Sequence, residues 1–315
     1  MGSVEADDVE RLARGVPGWG ELALLIEPIA LGITNRNFKV TLPDGRAFMM
    51  RLPGERTEVL GIDRACEAEA THRAAELGIG PRVHRELPGV GTLVTEFIPG
   101  RHAADHAEFQ QPGRQGTVVE LLRRFHGSGQ ITGRFPIHRV VEWHARDAAR
   151  FGVDPPAAFG ELRECSRAIE QAFARSPMPA MPCHNDLLPA NVLFDDDAAG
   201  GPRAFLLDFE YAGMNDVFFD LANLSVNSAF TAEADERLLQ TYFGTVTAVH
   251  VARLELMKIM SELREGMWAV VQQAISTLDT FDFVAYADER LAHCRDLCAD
   301  DAFGARLHEA SGAVD

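Results

Sequence analysis

The chain has 315 residues, of which 46% are hydrophobic, enough for about two lobes or domains with their own apolar cores. It carries 47 acidic against 30 basic side chains, and this shortage of Lys and Arg argues against nucleic-acid binding. No stretch approaches the roughly 20 consecutive apolar residues of a membrane helix, so we expect no membrane insertion.

The five cysteines are odd in number and scattered along the chain. A disulfide framework normally uses an even set at regular spacing, so the pattern predicts free thiols in a reducing cytoplasm. The acidic start of the chain also lacks the apolar region of a signal peptide. Nothing in the sequence indicates an oligomeric state.

The first 97 residues have the pattern of a small β-rich unit. Apolar alternation predicts strands at ELALLIEPI, NFKVTL, AFMMRL, RVHREL and TLVTEF. The tight turn PDGR joins the second and third strands, and residues 62–77 have helical spacing that stops at Gly78. A five-stranded sheet with one inserted helix is therefore predicted.

The composition changes after the break at residues 98–100. Helical periodicity covers residues 114–126, 159–174, 217–229, 232–249, 251–275 and 281–299. Only VLF at residues 192–194 and AFLLDF at 204–209 look like strands, on either side of a turn-rich segment. The expected fold is α+β, with a β-rich lobe over residues 1–97, a mainly helical lobe over 98–315 and a ligand cleft between them.

A polar loop with a fixed spacing lies at the start of the VLF strand. His184, Asn185 and Asp186 are followed after four residues by Asn191. An Asp in a loop accepts the proton of a substrate hydroxyl, and an Asn five residues later holds a magnesium ion beside it. This H-x-D-x-x-x-x-N spacing is that of a kinase catalytic loop.

A second acid follows the next hairpin, where the apolar strand ends in Asp208. Together with Asn191 it forms a candidate Mg²⁺ site for phosphoryl transfer. A zinc site is disfavoured, because Asn is a poor zinc ligand and His184 has no second His or Cys at ligand spacing apart from Cys183. We expect His184 to be a structural hydrogen-bonding residue.

Two segments, HNDLLPANVLF and LLDFEYAGMNDVFFDLANLS, resemble the choline/ethanolamine kinases of the aminoglycoside-phosphotransferase-like group. LGITNRNFKV and MMRLPGERTEVLGIDR resemble the nucleotide-lobe segments of that family, so the likeness spans most of residues 30–290. The resemblance implies a two-lobed protein-kinase-like fold, with a nucleotide-binding N-lobe and a C-lobe that binds the acceptor. It also implies ATP and Mg²⁺ as cofactors and a small hydroxylated amine as acceptor.

The resemblance assigns roles to residues at matching positions. Asp186 becomes the catalytic base, Asn191 and Asp208 the magnesium ligands, and Glu210 an acid near the metals and the acceptor. Asp220 becomes a structural acid that braces the catalytic loop.

The same resemblance indicates the nucleotide-binding residues. Arg51 stands where protein kinases have a Lys on the third strand, and its permanent charge suits phosphate. Its helix partner is expected to be Glu67, with Glu69 as the alternative. The phosphate-covering loop has as candidates Gly32, Thr34 and Asn35.

Departures from protein kinases favour a small acceptor. Leu188 replaces the Lys of the protein-kinase loop, and the helix after Glu210 begins too soon for an activation segment. SELREGMWAVVQQ and TFDFVAYADER resemble the helices that line the acceptor pocket of choline kinases. The candidate cage residues there are Trp268 and Tyr286, with Phe281 and Phe283 as weaker ones, and the nearby acids are Glu262 and Glu265.

Several functions share these catalytic residues. A choline or ethanolamine kinase is the leading hypothesis, and an aminoglycoside, thiamine or sugar kinase would differ only in its acceptor pocket. A non-catalytic, nucleotide-binding pseudokinase is disfavoured, because Asp186, Asn191 and Asp208 are all present.

Overall fold

The fold is taken from a computed structural model that describes residues 3–29, 33–197, 203–312 and 314. Its amino-terminal sheet has five antiparallel strands in the order β1-β2-β3-β5-β4. The strands are β1 (Leu25–Ile29), β2 (Asn35–Thr41), β3 (Ala47–Pro53), β4 (Val83–Leu87) and β5 (Thr92–Glu96). Every one was predicted from alternation, which is plain in β3, where Phe48, Met50 and Leu52 are buried and their neighbours are partly exposed.

Helix α1 (Ser3–Arg14) packs on this sheet and was not predicted. Its Val9 and Ala13 join Trp19 and buried residues of β2 and β3 in a separate small core. The helix inserted between β3 and β4 is α2 (Arg64–Glu76), and Asp63 caps it by accepting hydrogen bonds from two backbone N–H groups of its first turn.

The rest of the chain is mainly helical. Its helices are α3 (His106–Phe109), α4 (Pro112–His126), α5 (Ile137–Arg150), α6 (Phe159–Arg175), α7 (Val217–Asn227), α8 (Ala232–Phe243), α9 (Ala248–Ile275), α10 (Phe283–Cys298) and α11 (Phe303–Ala310). Two short antiparallel sheets of two strands lie among them: β6 (Met181–Cys183) pairs with β9 (Gly213–Asn215), and β7 (Val192–Asp195) pairs with β8 (Arg203–Leu206). The prediction of an α+β fold with an antiparallel sheet is confirmed.

Helix α9 is the centre of the helical part and is buried on most sides. α8 ends earlier than predicted, because Gly244 adopts φ 82° and stops the helix. Thr247 then caps α9 in a capping box with His250. In the described part of the chain no helix is long and apolar enough to cross a membrane.

The larger core extends beyond the helical part. Ala70 and Ala74 of α2 belong to it, together with Ile79 after that helix. α2 therefore packs against the helical part, although it lies between β3 and β4 of the sheet in the chain. The predicted lobe boundary at residues 97 and 98 falls in the irregular segment after β5.

Candidate active site

Helix α7 holds the loop between β6 and β7 in place. Asp220 accepts hydrogen bonds from the backbone N–H groups of His184 at 2.8 Å and Asn185 at 2.7 Å. The side-chain oxygen of Asn223 accepts one from the N–H of Leu187 at 2.5 Å. Because one helix accepts hydrogen bonds from three N–H groups of the loop, the loop backbone has a fixed position.

Asp186 and Asn191 come together at the top of this loop. Asn191 Nδ2 donates to the backbone oxygen of Asp186 at 2.8 Å and to its carboxylate Oδ2 at 3.2 Å. The second carboxylate oxygen, Oδ1, accepts from Arg264 Nη1 at 3.0 Å. Burial raises the pKa of Asp186 to about 6, against the opposing charge of Arg264.

Asp208 follows β8 in a conformation that is unusual for a residue with a side chain, at φ 62°. Two hydrogen bonds of Leu207 hold it beside the loop: its N–H donates to Asn191 O and its oxygen accepts from His184 Nε2, both at 2.8 Å. His184 is thus a hydrogen-bonding member of the loop, as the sequence analysis expected.

The donor set of Asn191 and Asp208 suits magnesium, which prefers oxygen ligands. Asn191 donates its side-chain hydrogen bonds to Asp186 through Nδ2, which leaves its amide oxygen for a cation. The Asp208 side chain is 24% exposed.

Arg51 on β3 joins two acids. It contacts Glu67 of α2 through one guanidinium nitrogen and Asp208 through the other. Glu69, the alternative partner, instead accepts a hydrogen bond from the N–H of Thr132 at 2.9 Å. The pair expected of a kinase N-lobe is therefore formed with Glu67.

A second arginine, Arg64, extends this network. Its Nη1 lies 2.6 Å from Glu67 Oε2 and 3.3 Å from Glu210 Oε2, and its Nη2 donates to Asn35 at 3.1 Å. Asn35 Nδ2 in turn donates to Glu210 at 2.8 Å. Burial and then the nearby charge of Asp208 raise the pKa of Glu210 to about 7. Glu210 thus contacts Asn35 and Arg64 of the N-lobe, and its expected place near the metals and the acceptor stays a prediction.

The predicted phosphate-covering loop is only partly described. Gly32 lies outside the described residues. Thr34 packs against Gly54, where an added Cβ would lie 2.1 Å from the Thr34 carbonyl oxygen. This close approach requires glycine at position 54 and fixes the start of β2 against the end of β3.

Aromatic side chains gather where α9 meets α10. Trp268 lies edge-on to Phe283 and Tyr286, with ring centres 5.8 Å and 6.3 Å away. Phe281 lies 5.4 Å from Tyr286. The indole nitrogen of Trp268 donates to the Tyr211 hydroxyl at 3.0 Å. This bond links the aromatic cluster to the segment that follows residues 208–210.

The acids next to these rings already have partners. Glu265 accepts from Arg264 Nη1 at 2.6 Å and from the Tyr286 hydroxyl at 3.1 Å. Glu262 accepts from Arg290 at 3.2 Å. Neither acid is a free counter-charge for a cationic ligand.

A buried trio of His126, Cys183 and Asp220 has its ligand atoms within 4.8 Å of one another. His126 Nε2 bonds to Asp220 at 2.9 Å, and its Nδ1 bonds to the Tyr242 hydroxyl at 2.6 Å. Because Asp220 also holds the catalytic loop, we interpret the trio as a structural brace.

Five residues of the site were not predicted from the sequence: Arg64, Arg264, Tyr211, His126 and Asn223. Arg264 had one visible signal, since it interrupts an apolar helix beside Glu265. A charged pair at such a position is expensive to bury and indicates a specific partner. Arg64, Tyr211 and Asn223 lie within the segments that resemble the family, but no spacing or residue type there marks them as site residues.

Comparison with known proteins agrees with this geometry. The profile of the APH phosphotransferase enzyme family matches residues 25–254. LicA of Haemophilus influenzae is 25% identical over 231 residues, which cover 71% of this chain and 65% of that relative. Ethanolamine kinase 2 of Mus musculus is 24% identical over 316 residues, covering 90% of this chain and 80% of the relative.

A solved structure gives a further match. The choline/ethanolamine kinase family protein of Mesorhizobium loti is 30% identical and superposes with a TM-score of 0.81, covering 97% of this chain and 99% of that one. Fold and relatives together define a protein-kinase-like phosphotransferase with an alcohol group as acceptor. The chain belongs to the APH phosphotransferase enzyme family, and its relatives include choline and ethanolamine kinases.

Proposed function

We propose that the enzyme transfers the γ-phosphoryl group of ATP to the hydroxyl of a small amino-alcohol, with choline and ethanolamine as the leading candidates. The observation that carries this proposal is the connection between Asp186 and the aromatic cluster. Arg264 bonds to Asp186 and lies over the ring of Tyr211 at 4.3 Å, and Tyr211 bonds to Trp268. An acceptor with its hydroxyl at Asp186 has its other end near these rings.

In the proposed reaction Asp186 orients the acceptor hydroxyl and takes its proton. The hydroxyl oxygen forms the new bond to the γ-phosphorus, the bond from that phosphorus to the β–γ bridging oxygen breaks, and ADP leaves. The buried setting of Asp186 keeps bulk water away from the reacting oxygen, which favours transfer to the acceptor over hydrolysis.

Asn191 and Asp208 are the residues that would hold magnesium, as their oxygen donors suggest. Bound there, Mg²⁺ supplies positive charge that offsets the charge of the phosphate oxygens. Arg51 would exchange part of its contact with Asp208 for the phosphates, and Glu67 keeps the guanidinium oriented. Gly32, Thr34 and Asn35 are the proposed residues of the loop that covers the phosphates.

Recognition of the amine is assigned to Trp268 and Tyr286. An aromatic face attracts a cation by about 0.5–2 kcal/mol, depending on how much water is excluded. Since Glu265 is already paired with Arg264, we expect the rings to contribute more than the carboxylates to the choice of acceptor.

The test is an ADP-release assay with Mg²⁺ and ATP over a panel of choline, ethanolamine, aminoglycosides, thiamine and simple sugars. We expect acceptor-dependent turnover with an amino-alcohol, well above the rate without acceptor. Turnover only with an aminoglycoside, thiamine or a sugar would replace the acceptor assignment. Absence of acceptor-dependent turnover across the panel would remove the proposal.

A further inference from the structure

Arg264 is a buried cation that the sequence did not single out. Its side chain on α9 is 2% exposed, and its Nη1 lies 3.0 Å from Asp186 Oδ1 and 2.6 Å from Glu265 Oε1. The face of its guanidinium lies over Tyr211. It therefore contacts the proposed base and the wall of the aromatic cluster at once.

The direction of the Asp186 carboxylate depends on few contacts. The loop backbone is held by Asp220 and Asn223, but those bonds do not involve the carboxylate. Among the described residues, the carboxylate accepts hydrogen bonds from Asn191 at Oδ2 and from Arg264 at Oδ1. Asn191 belongs to the same loop, so Arg264 alone of these two ties the carboxylate to a separate element.

A buried carboxylate next to a single guanidinium is strongly held. When one member of such a pair is removed, the remaining charge is unpaired in a region of low polarity and its surroundings rearrange. We expect Asp186 to turn away from its present direction when Arg264 is lost. A catalytic group displaced by about 1 Å can slow a reaction by about 100-fold.

We propose that Arg264 is a positioning residue that holds the Asp186 carboxylate in the orientation from which it accepts the proton of the acceptor hydroxyl. It acts through Asp186 and does not contact the transferred group. This inference rests on the proposed function, because it presumes that Asp186 is the base. Arginine is suited to the task, since its planar guanidinium fixes direction as well as charge.

The test compares Arg264→Gln and Arg264→Lys with the wild-type enzyme in the acceptor-dependent assay. We expect kcat to fall about 100-fold in the Gln variant, with KM for ATP within about threefold of wild type. Lys keeps the positive charge but lacks the planar guanidinium. We therefore expect kcat of Arg264→Lys to be about a tenth of the wild-type value or higher.

Arg253→Gln is the matched structural control. Arg253 lies on the same helix and is equally buried, but it donates to the backbone oxygens of Ser176 and Ala310. Its loss is expected to lower stability while kcat stays within about twofold. A kcat for Arg264→Gln within twofold of wild type would overturn the proposal, and so would an equal loss in Arg253→Gln.

A structural measurement separates this inference from the proposed function. If the wild type transfers to no acceptor, the function fails, but crystal structures of wild type and Arg264→Gln still report the carboxylate. An unchanged direction of Asp186 contradicts the inference, and a rotated carboxylate supports it. Should the single variant not fold, Arg264→Gln combined with Glu265→Gln removes one of the two unpaired acids and allows the same comparison.

Discussion

Acidic side chains of the site are paired with arginines throughout. Asp186 and Glu265 share Arg264, Asp208 and Glu67 share Arg51, and Glu67 and Glu210 share Arg64. Such pairs hold buried acids in fixed directions at little net charge. An acceptor therefore meets an ordered site whose negative charge is largely neutralised within the protein.

The ring of Trp268 allows a direct test of acceptor recognition. Trp268→Phe removes the indole that bonds to Tyr211 and weakens the aromatic face. We expect KM for choline to rise about three- to tenfold, with KM for ATP unchanged. Steady-state kinetics with each substrate varied in turn measure both constants.

The matched control is Trp19→Phe, which changes a buried tryptophan of the separate amino-terminal core. We expect this variant to leave KM for choline and KM for ATP unchanged. An unchanged KM for choline in the Trp268 variant would exclude that residue from the acceptor site.

Linear sequence was sufficient for the residues that lie in one motif. Asp186, Asn191 and Asp208 fall within one loop and hairpin, and their spacing alone predicted their approach. Arg64 and Arg264 are distant from that motif, and only the packing of α2 and α9 brings them to it. The orientation of the Glu210 carboxylate likewise depends on Asn35, which lies 175 residues earlier in the chain.

Among the elements, α9 depends on one close approach. A Cβ added at Gly266 would lie 2.6 Å from Cγ and Cδ2 of Leu291 on α10. We expect Gly266→Ala to lower the free energy of unfolding by about 1–3 kcal/mol, although alanine favours a helix by about 1 kcal/mol. Urea denaturation measures the difference.

Gly116→Ala in α4 is the control for helix propensity. An added Cβ there meets no atom within 4 Å, so this variant should gain about 1 kcal/mol. Equal effects at both glycines would contradict the account of how α9 and α10 pack.

The described helices and strands that the sequence did not predict are α1, α3, α5, α11, β6 and β9. Helix α5 was missed although its buried residues, among them Ile137, Val140 and Val141, have clear helical spacing. The strands β6 and β9 have three residues each, too short for alternation to show. α11, with eight residues, is also short.

Across the whole molecule, buried histidines couple stability to pH. Burial, followed by the charge of Arg264, lowers the pKa of His144 to about 4. The unfolded chain binds a proton at this side chain near the ordinary value of 6.5, whereas the folded chain does not. Its contribution to stability is therefore complete above the unfolded pKa and decreases as pH falls toward the folded one.

Because the unfolded chain binds this proton and the folded chain does not, we expect the free energy of unfolding to fall by up to about 3 kcal/mol as the pH is lowered from about 7 to about 4. His144→Gln should remove that part of the pH dependence in urea denaturation, and the exposed His106→Gln should leave it as it is. The same slope in His144→Gln and wild type would show that this histidine is not held neutral.

We propose that this chain transfers the γ-phosphoryl group of ATP to the hydroxyl of an amino-alcohol, with Asp186 as the base. The direct measurement is ³¹P NMR of the product from Mg²⁺, ATP and choline or ethanolamine, for wild type and Asp186→Asn, with nucleotide affinity measured in parallel. We predict a phosphorylated amino-alcohol from the wild type, and a rate about 100- to 10,000-fold lower in the variant at unchanged nucleotide affinity. Absence of this product from the wild type, or its formation at a wild-type rate by Asp186→Asn, would contradict the account.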